Sequence, residues 1–254
     1  MRLPTPLIEG ALLRRYQRFL ADIRLRDGTV VTAHCPNSGS MVGCAVPGSR
    51  VLLSTIADSR RKCHYTWQLV RVGRTWVGIN TLVANRLVAE AVQLGRLPEL
   101  AGYQELKREV RFGEHTRFDF LLRDGPHLCY VEVKNVTLVQ NAVAYFPDAV
   151  TTRGRKHLRE LATARAEGHR AVVLFVVQRA DACMLRPADH IDPEYGDALR
   201  RAAAEGVECI AYRARVTRRQ IALVKRLPCC LEPAPYGGQP AMRAKAVGGW
   251  ARKV

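Results

Sequence analysis

Residues 129–137 read CYVEVKNVT. Tyr130, Val131, Val133 and Val136 have the β-branched and aromatic chemistry of a buried strand. Glu132 and Lys134 stand in the middle of it. A charged side chain is rarely buried unless it is paired or bound to metal, because it loses its hydration. Two residues apart on a strand, Glu132 and Lys134 share one face. The upstream stretch RFDFLL, 117–122, is a second apolar strand with one acid, Asp119. Between the two lies Arg123-Asp-Gly-Pro-His127, which is turn chemistry. A hairpin turning at Gly125–Pro126 sets Asp119 directly opposite Glu132. Facing like charges on adjacent strands repel, so the pair needs a cause. A divalent cation is one: Mg²⁺ takes one or two carboxylates, with waters and substrate phosphate completing its shell. Such an ion acidifies a bound water and offsets phosphate charge, with Lys134 assisting. A structural acid–lysine pair at a sheet edge is the other reading, and the spacing leaves both open.

Around this hairpin the second half of the chain is mixed. Strands are expected at 104–112, 116–123 and 128–137. A helix is expected at about 153–167, with Thr151 or Thr152 as N-cap and Gly168 at its stop. AVVLFVVQ, 171–178, is a continuous apolar run of the kind buried on both faces of a sheet. A helix over 193–206 and a closing strand over 207–216 complete an α/β domain around a mixed sheet. Before it, residues 81–94 have helical periodicity, with Leu82, Leu87, Ala91 and Leu94 near one face and Asn80 or Thr81 as cap. Earlier still, LIEGALL, FLADIRL, TVVTAH, RVLLS, YTWQLVRV and TWVGIN are short strands separated by RDG, PNSG, VPGS and VGR. Five or six such strands in so short a span fit an OB-like β-barrel. The expected organisation is therefore a barrel over 1–80, an α/β domain over 81–228, and a flexible basic Pro/Gly/Ala tail over 229–254.

Charge narrows the partners. The chain has 40 Lys and Arg against 23 Asp and Glu, a formal net of +17 in 254 residues. The basic residues are spread along the chain and are mostly Arg. This balance points to a polyanion, nucleic acid first, while a host with an Arg-rich proteome would give the same composition. No segment approaches the length of a membrane span, and the N-terminus lacks a signal-peptide pattern. The eight cysteines include no C-x-x-C spacing. These features lead to the expectation of a soluble protein of the reducing cytoplasm.

The motifs carry a resemblance. Asp119 followed by Glu132-Val-Lys134 looks like the PD-(D/E)xK nuclease core, a short pattern. HCPNSGSM (34–41), RRKCHYTWQLV (60–70), NTLVANRLVAEA (80–91), EVRFGEHTRFDFLL (109–122), VEVKNVTL (131–138), FPDAVTTRGRKHLREL (146–161) and IDPEYGDALRRAAAEGVECIAY (191–212) together resemble the sugar fermentation stimulation protein family of bacteria and archaea. The likeness spans roughly 5–227. It implies an N-terminal OB-like domain and a C-terminal PD-(D/E)xK nuclease-like domain. It further implies DNA binding and a regulatory role in sugar (maltose) metabolism. By this resemblance Asp119 and Glu132 are metal carboxylates for Mg²⁺ or Mn²⁺ and Lys134 is the catalytic lysine. Glu90, on the preceding helix, is similar in placement to an extra acidic ligand of some such nucleases. The motif's Pro is absent: Phe118 stands before Asp119.

Several stretches are candidate contacts to a DNA backbone. Arg153, Arg155, Lys156 and His157 lie near a helix N-terminus, whose free N–H groups attract phosphate; a solvated basic face is the alternative. Asn37, Ser38 and Gly39 could form an anion-binding nest of N–H groups or only a turn. Arg60, Arg61, Lys62 and Tyr65 interleave cations with an aromatic ring, which suits a single strand lying on a barrel face, or Tyr65 and Trp67 are barrel core. Asn85 and Arg86 could bridge the two domains. A non-catalytic nucleic-acid-binding regulator and an enzyme acting on a small phosphorylated metabolite are the competing functions.

Overall fold

The computed structural model describes residues 1–55, 62–114 and 116–233. Strands β1 (Leu7–Tyr16), β2 (Leu20–Leu25), β3 (Val30–His34), β4 (Arg50–Thr55), β5 (Tyr65–Val72) and β6 (Thr75–Gly78) form one sheet in the order β3-β2-β1-β4-β5-β6. A parallel pairing of β3 with β5 closes β1–β5 into the OB-like barrel. Its interior holds Leu12, Ile23, Leu53, Trp67, Val70 and Val77. Gly10 is required there by close packing, since a Cβ would meet Ile23 Cγ2 at 2.5 Å.

Helix α1 (Leu82–Gln93) follows directly. Val83, Ala84, Leu87, Val88 and Ala91 form one buried helical face, and Ala89 is buried on the opposite side. Leu82 and Leu94, expected on the Leu87 face, are exposed: Leu82 falls off the stripe that Leu87 defines, and Leu94 stands past the last helical residue as the C-cap. Gly95, with φ +63°, stops the helix in the left-handed conformation glycine tolerates.

The second sheet runs β15-β14-β12-β9-β8-β7. Its strands are β7 (Glu105–Phe112), β8 (Thr116–Asp124), β9 (His127–Val136), β12 (Arg170–Val177), β14 (Glu208–Val216) and β15 (Ile221–Leu227). The three central strands β9, β12 and β14 are parallel, and the edges are antiparallel hairpins. A mixed sheet of this kind needs cover on both faces. Helices α2 (Thr152–Ala166) and α3 (Pro193–Ala204) cover one face, packing Leu158, Leu161, Tyr195 and Leu199 against Val173 and Phe175. Helix α1 covers the other, and its core includes Leu52 and Leu69 of the barrel together with Val131 and Leu174 of the sheet. Barrel and sheet domain therefore share a continuous apolar core.

Four strands are not among those the sequence predicts. β15 closes the sheet edge, and β10 (Leu138–Gln140), β11 (Val143–Phe146) and β13 (Met184–Pro187) form a small separate sheet. The last three are three or four residues each, too short to show a period. The expected tail also begins later than residue 229. Cys229 bridges to Leu185, Cys230 N–H donates to Leu185 O at 2.9 Å, and Leu231 O accepts from Arg200. Residues 234–254 of that stretch lie outside the described residues.

Candidate metal and nucleic-acid site

The β8–β9 hairpin delivers the two acids. Its pairs run in constant register from Asp124↔His127 to Phe120↔Val131, and Asp119 and Glu132 stand next in line. Strand alternation breaks at Asp119: Phe118 packs in the core under α2, and Phe120 in the core under α1. At this break the Asp119 carboxylate turns onto its neighbours. Oδ2 accepts the Val133 N–H at 2.7 Å, and Oδ1 accepts Asn85 Nδ2 of α1 at 2.6 Å. Burial, and then the charge of Glu132, push Asp119 up from 3.8 to about 6.

Glu132 is 4% exposed. Burial by itself would raise its pKa, but the bond from His157 and the charge of Lys134 outweigh that and hold the carboxylate below its ordinary range. Lys134 Nζ lies 2.6 Å from Glu132 Oε1. His157 Nδ1 bonds the same oxygen. On its other side, His157 Nε2 accepts Arg153 Nε at 3.3 Å. An Nε2 that accepts a hydrogen bond leaves the ring proton on Nδ1, pointing at Glu132. Both donors thus converge on Oε1. Oε2 is buried and has no hydrogen-bond partner among the described residues. A buried carboxylate oxygen without a donor is costly, and it is the kind of atom a cation would satisfy. The donor set also fits chemically: two carboxylates suffice for a hard cation that keeps waters in its shell.

Glu90 does not join this pair. Its Oε2 lies 2.6 Å from the Met1 ammonium, on the side of α1 away from the hairpin. Five residues separate it from Asn85, which turns a helix by about 140°, so only Asn85 reaches Asp119. Among the described residues no group of three or more His, Cys, Asp or Glu side chains is placed to hold a metal.

The basic helix start is divided. Arg153, Lys156 and His157 share one side of α2 and line a groove with Arg111, Thr116 and Arg117. Arg155 points elsewhere. Its Nη1 bonds Asp192 Oδ1 at 3.0 Å and Glu194 Oε2 at 2.7 Å, tying α2 to the start of α3. The expected phosphate contact at Arg155 is therefore an internal ion pair, because residue 155 lies about 160–200° around the helix from 153 and 157. The first turn is also capped from within, since Thr151 Oγ1 accepts the Gly154 N–H at 3.0 Å and Asp192 Oδ2 accepts the Thr151 N–H at 2.8 Å.

The loop at 37–41 is not an open nest. Asn37 is buried, its Oδ1 accepts the Gly39 N–H at 2.9 Å, and its Nδ2 donates to Ile79 O at 3.0 Å. Arg15 Nη2 bonds the carbonyls of Asn37 and Gly39. Across the domain junction, Asp148 Oδ2 accepts the Met41 N–H at 2.9 Å, and Ser40 Oγ donates to Asp148 O. A Cβ at Gly39 would lie 2.6 Å from the Asp148 carboxylate oxygens, so this glycine exists for that close approach. Asn37 thus shapes the loop from within the barrel, while Ser40, Met41 and the close approach at Gly39 clasp it to Asp148 of the second domain; Ser38 is exposed beside them. Lys62 is exposed just before β5, while Tyr65 is half-buried where β3 meets β5. Arg60 and Arg61 lie outside the described residues.

Fold and site define a two-domain protein: an OB-like barrel joined to a mixed-sheet domain with a buried carboxylate pair and a lysine on adjacent strands. The chain belongs to the sugar fermentation stimulation protein family. The family's "SfsA N-terminal OB domain" matches residues 13–79, and its "Sugar fermentation stimulation protein RE domain" matches residues 82–220. A sugar fermentation stimulation protein homolog of Citrifermentans bemidjiense is 58% identical over 231 residues, covering 91% of this chain and all of that one. One from Geobacter sulfurreducens is 58% identical over 228 residues, covering 90% and 98%. The structure of Pyrococcus furiosus SfsA in complex with Ca²⁺ superposes with a TM-score of 0.82 at 26% identity, covering 90% of this chain and 97% of that one. No helix among the described residues is long and apolar enough to cross a membrane.

Proposed function

We propose that this protein binds nucleic acid, DNA in the first instance, and hydrolyses its phosphodiester backbone at a divalent-metal site held by Asp119 and Glu132. The observation that carries this reading is the buried Glu132 Oε2, left without a donor beside a second carboxylate while two donors crowd Oε1. Mg²⁺ or Mn²⁺ bound there would acidify a water and offset charge on the phosphate. A relative from Pyrococcus furiosus solved with Ca²⁺ supports a hard, oxygen-seeking cation.

The chain's own groups do the rest. Asn85 and the Val133 N–H fix Asp119. His157, its tautomer set by Arg153, fixes Glu132. Lys134 brings a positive charge and further N–H donors to the same spot, for the attacking water or the phosphate oxygens. The net charge of +17 favours a polyanionic substrate. Arg153 and Lys156 beside the site, and Lys62 and Ser38 on the barrel, are the proposed backbone contacts. Action on nucleic acid in the cytoplasm would suit a regulatory role in sugar metabolism, to which the relatives' name points.

The test is cleavage. Wild type and Glu132→Ala are incubated with single-stranded and duplex DNA and RNA in Mg²⁺, Mn²⁺ or EDTA. Cutting that requires metal and disappears in the variant is the expected result, and it names the substrate class. Salt-sensitive binding without cutting by either protein would reject hydrolysis and favour a non-catalytic binder.

A further inference from the structure

The groove beside His157 holds an arrangement that the metal site does not use. It is lined by Arg111 and Arg117 from the β7–β8 hairpin, by Thr116, and by Arg153, Lys156 and His157 from α2, with Glu114 at its edge. Arg111 and Arg117 are direct cross-strand partners. Two like charges facing each other on adjacent strands repel, and Glu109 Oε2, 4.0 Å from Arg117 Nη1, offsets this only at the far limit of an ion pair. Thr116 is 6% exposed, yet its Oγ1 has no hydrogen-bond partner among the described residues. A buried hydroxyl without a partner costs free energy that a ligand oxygen would return. At the floor, Arg153 is held against His157, whose far side bonds Glu132. One imidazole ring thus separates this groove from the carboxylate pair.

From these three features we infer that the groove seats a backbone phosphodiester of bound nucleic acid, flanking the phosphate at the Asp119–Glu132 site, with Thr116 Oγ1 as its buried hydrogen-bond donor and Arg111, Arg117 and Arg153 as its cations. This rests on the nucleic-acid reading above and adds the route of the strand: off the metal site, past His157, and between β7–β8 and the start of α2. Four cations against Glu114, with Glu109 beside Arg117, suit a monoanionic diester that continues along a chain. Phosphate contacts of this type position a strand without reading its sequence.

The test is binding in EDTA, so that it does not depend on cleavage. A fluorescein-labelled DNA oligonucleotide is titrated over a range of NaCl with wild type, Arg111→Gln/Arg117→Gln, Thr116→Val, and a control, Lys107→Gln/Arg123→Gln, placed at the other end of the same hairpin. Each variant's fold is checked by its thermal melt. Each backbone contact contributes about 0.7–0.9 to the slope of log K against log salt. The groove pair is expected to lower that slope by about 1.5 and the control to leave it unchanged. Thr116→Val is expected to weaken binding by about tenfold with the slope intact, as for loss of one bond to a charged group. An unchanged slope in the groove pair, or an equal loss in the control, while wild type binds, would overturn the seat and leave the nucleic-acid reading standing. Failure of wild type to bind any DNA or RNA would overturn both.

Discussion

Asp119 should make the stability of this protein depend on pH in a direction opposite to that of most carboxylates. An ordinary buried Asp is held by a cation, its pKa falls, and stability is lost in acid. Asp119 is raised from 3.8 to about 6, so the folded state disfavours its ionised form. The contribution is harmless below pH 4, where the group is protonated in both states. It becomes unfavourable as pH rises from about 4 to 6 and is constant above. A shift of roughly two units corresponds to about 3 kcal/mol at pH 7.5, of which about 1.5 kcal/mol develops between pH 5 and 7.5. The perturbation is Asp119→Asn, which removes the charge and keeps the shape. Its Oδ1 can accept the Val133 N–H, and the Asn85 amide can turn to face the new NH₂, so about one hydrogen bond's worth, ~1 kcal/mol, is lost at every pH. In EDTA the difference in melting temperature between variant and wild type should therefore move in favour of the variant by about 3–6 °C from pH 5 to 7.5, using ~2–4 °C per kcal/mol for a chain of this size. Mn²⁺ should reverse the order at pH 7.5, stabilising wild type and not the variant, and have little effect on either at pH 5. Thermal unfolding at the two pH values, with EDTA and with Mn²⁺, reads all of this. A difference that is flat with pH, or an equal Mn²⁺ effect on both proteins, would refute the reasoning.

Glu132→Gln leaves Lys134 and His157 facing a neutral amide in a buried site; it should cost about 3 kcal/mol in urea unfolding and remove the Mn²⁺-dependent rise in melting temperature. Arg155→Ala breaks the bridge to Asp192 and Glu194 and should lower stability by about 1–2 kcal/mol, while DNA affinity and its salt slope, measured by anisotropy, stay at the wild-type values. Asp148→Ala frees the Met41 N–H and unclasps the loop at 37–41 from the sheet domain; a loss of about 1–2 kcal/mol is expected, with faster amide hydrogen exchange at Met41. Asn85→Ala removes one of the two donors to Asp119 and should weaken Mn²⁺ binding, read by calorimetry at pH 7.5, more than Glu90→Ala does, because Glu90 faces Met1.

Local geometry was written in the sequence. The two-residue repeat of a strand places Glu132 and Lys134 on one side whatever the fold. The turn at Gly125–Pro126 fixes the hairpin register, and with it the approach of Asp119 to Glu132. Thr151 as a cap, Gly95 as a stop, and the unbroken apolar run of β12 are equally local, since each depends on a few consecutive residues. The six strands of the N-terminal sheet declared themselves by their turns. What the chain could not show locally was which distant residues meet. His157 lies twenty-five positions from Glu132, and only the parallel pairing of β9 with β12, which carries α2 back across the sheet, brings it there. Whether Asn85 or Glu90 meets Asp119 depends on how α1 is rotated when its apolar face packs between barrel and sheet. The same packing sends Arg153 toward the site and Arg155 toward α3, and it turns the 37–41 loop from an expected anion nest into a clasp on Asp148. Backbone periodicity settles which side chains share a face. The burial of apolar surface over the whole molecule settles which faces touch, and no short stretch contains that information.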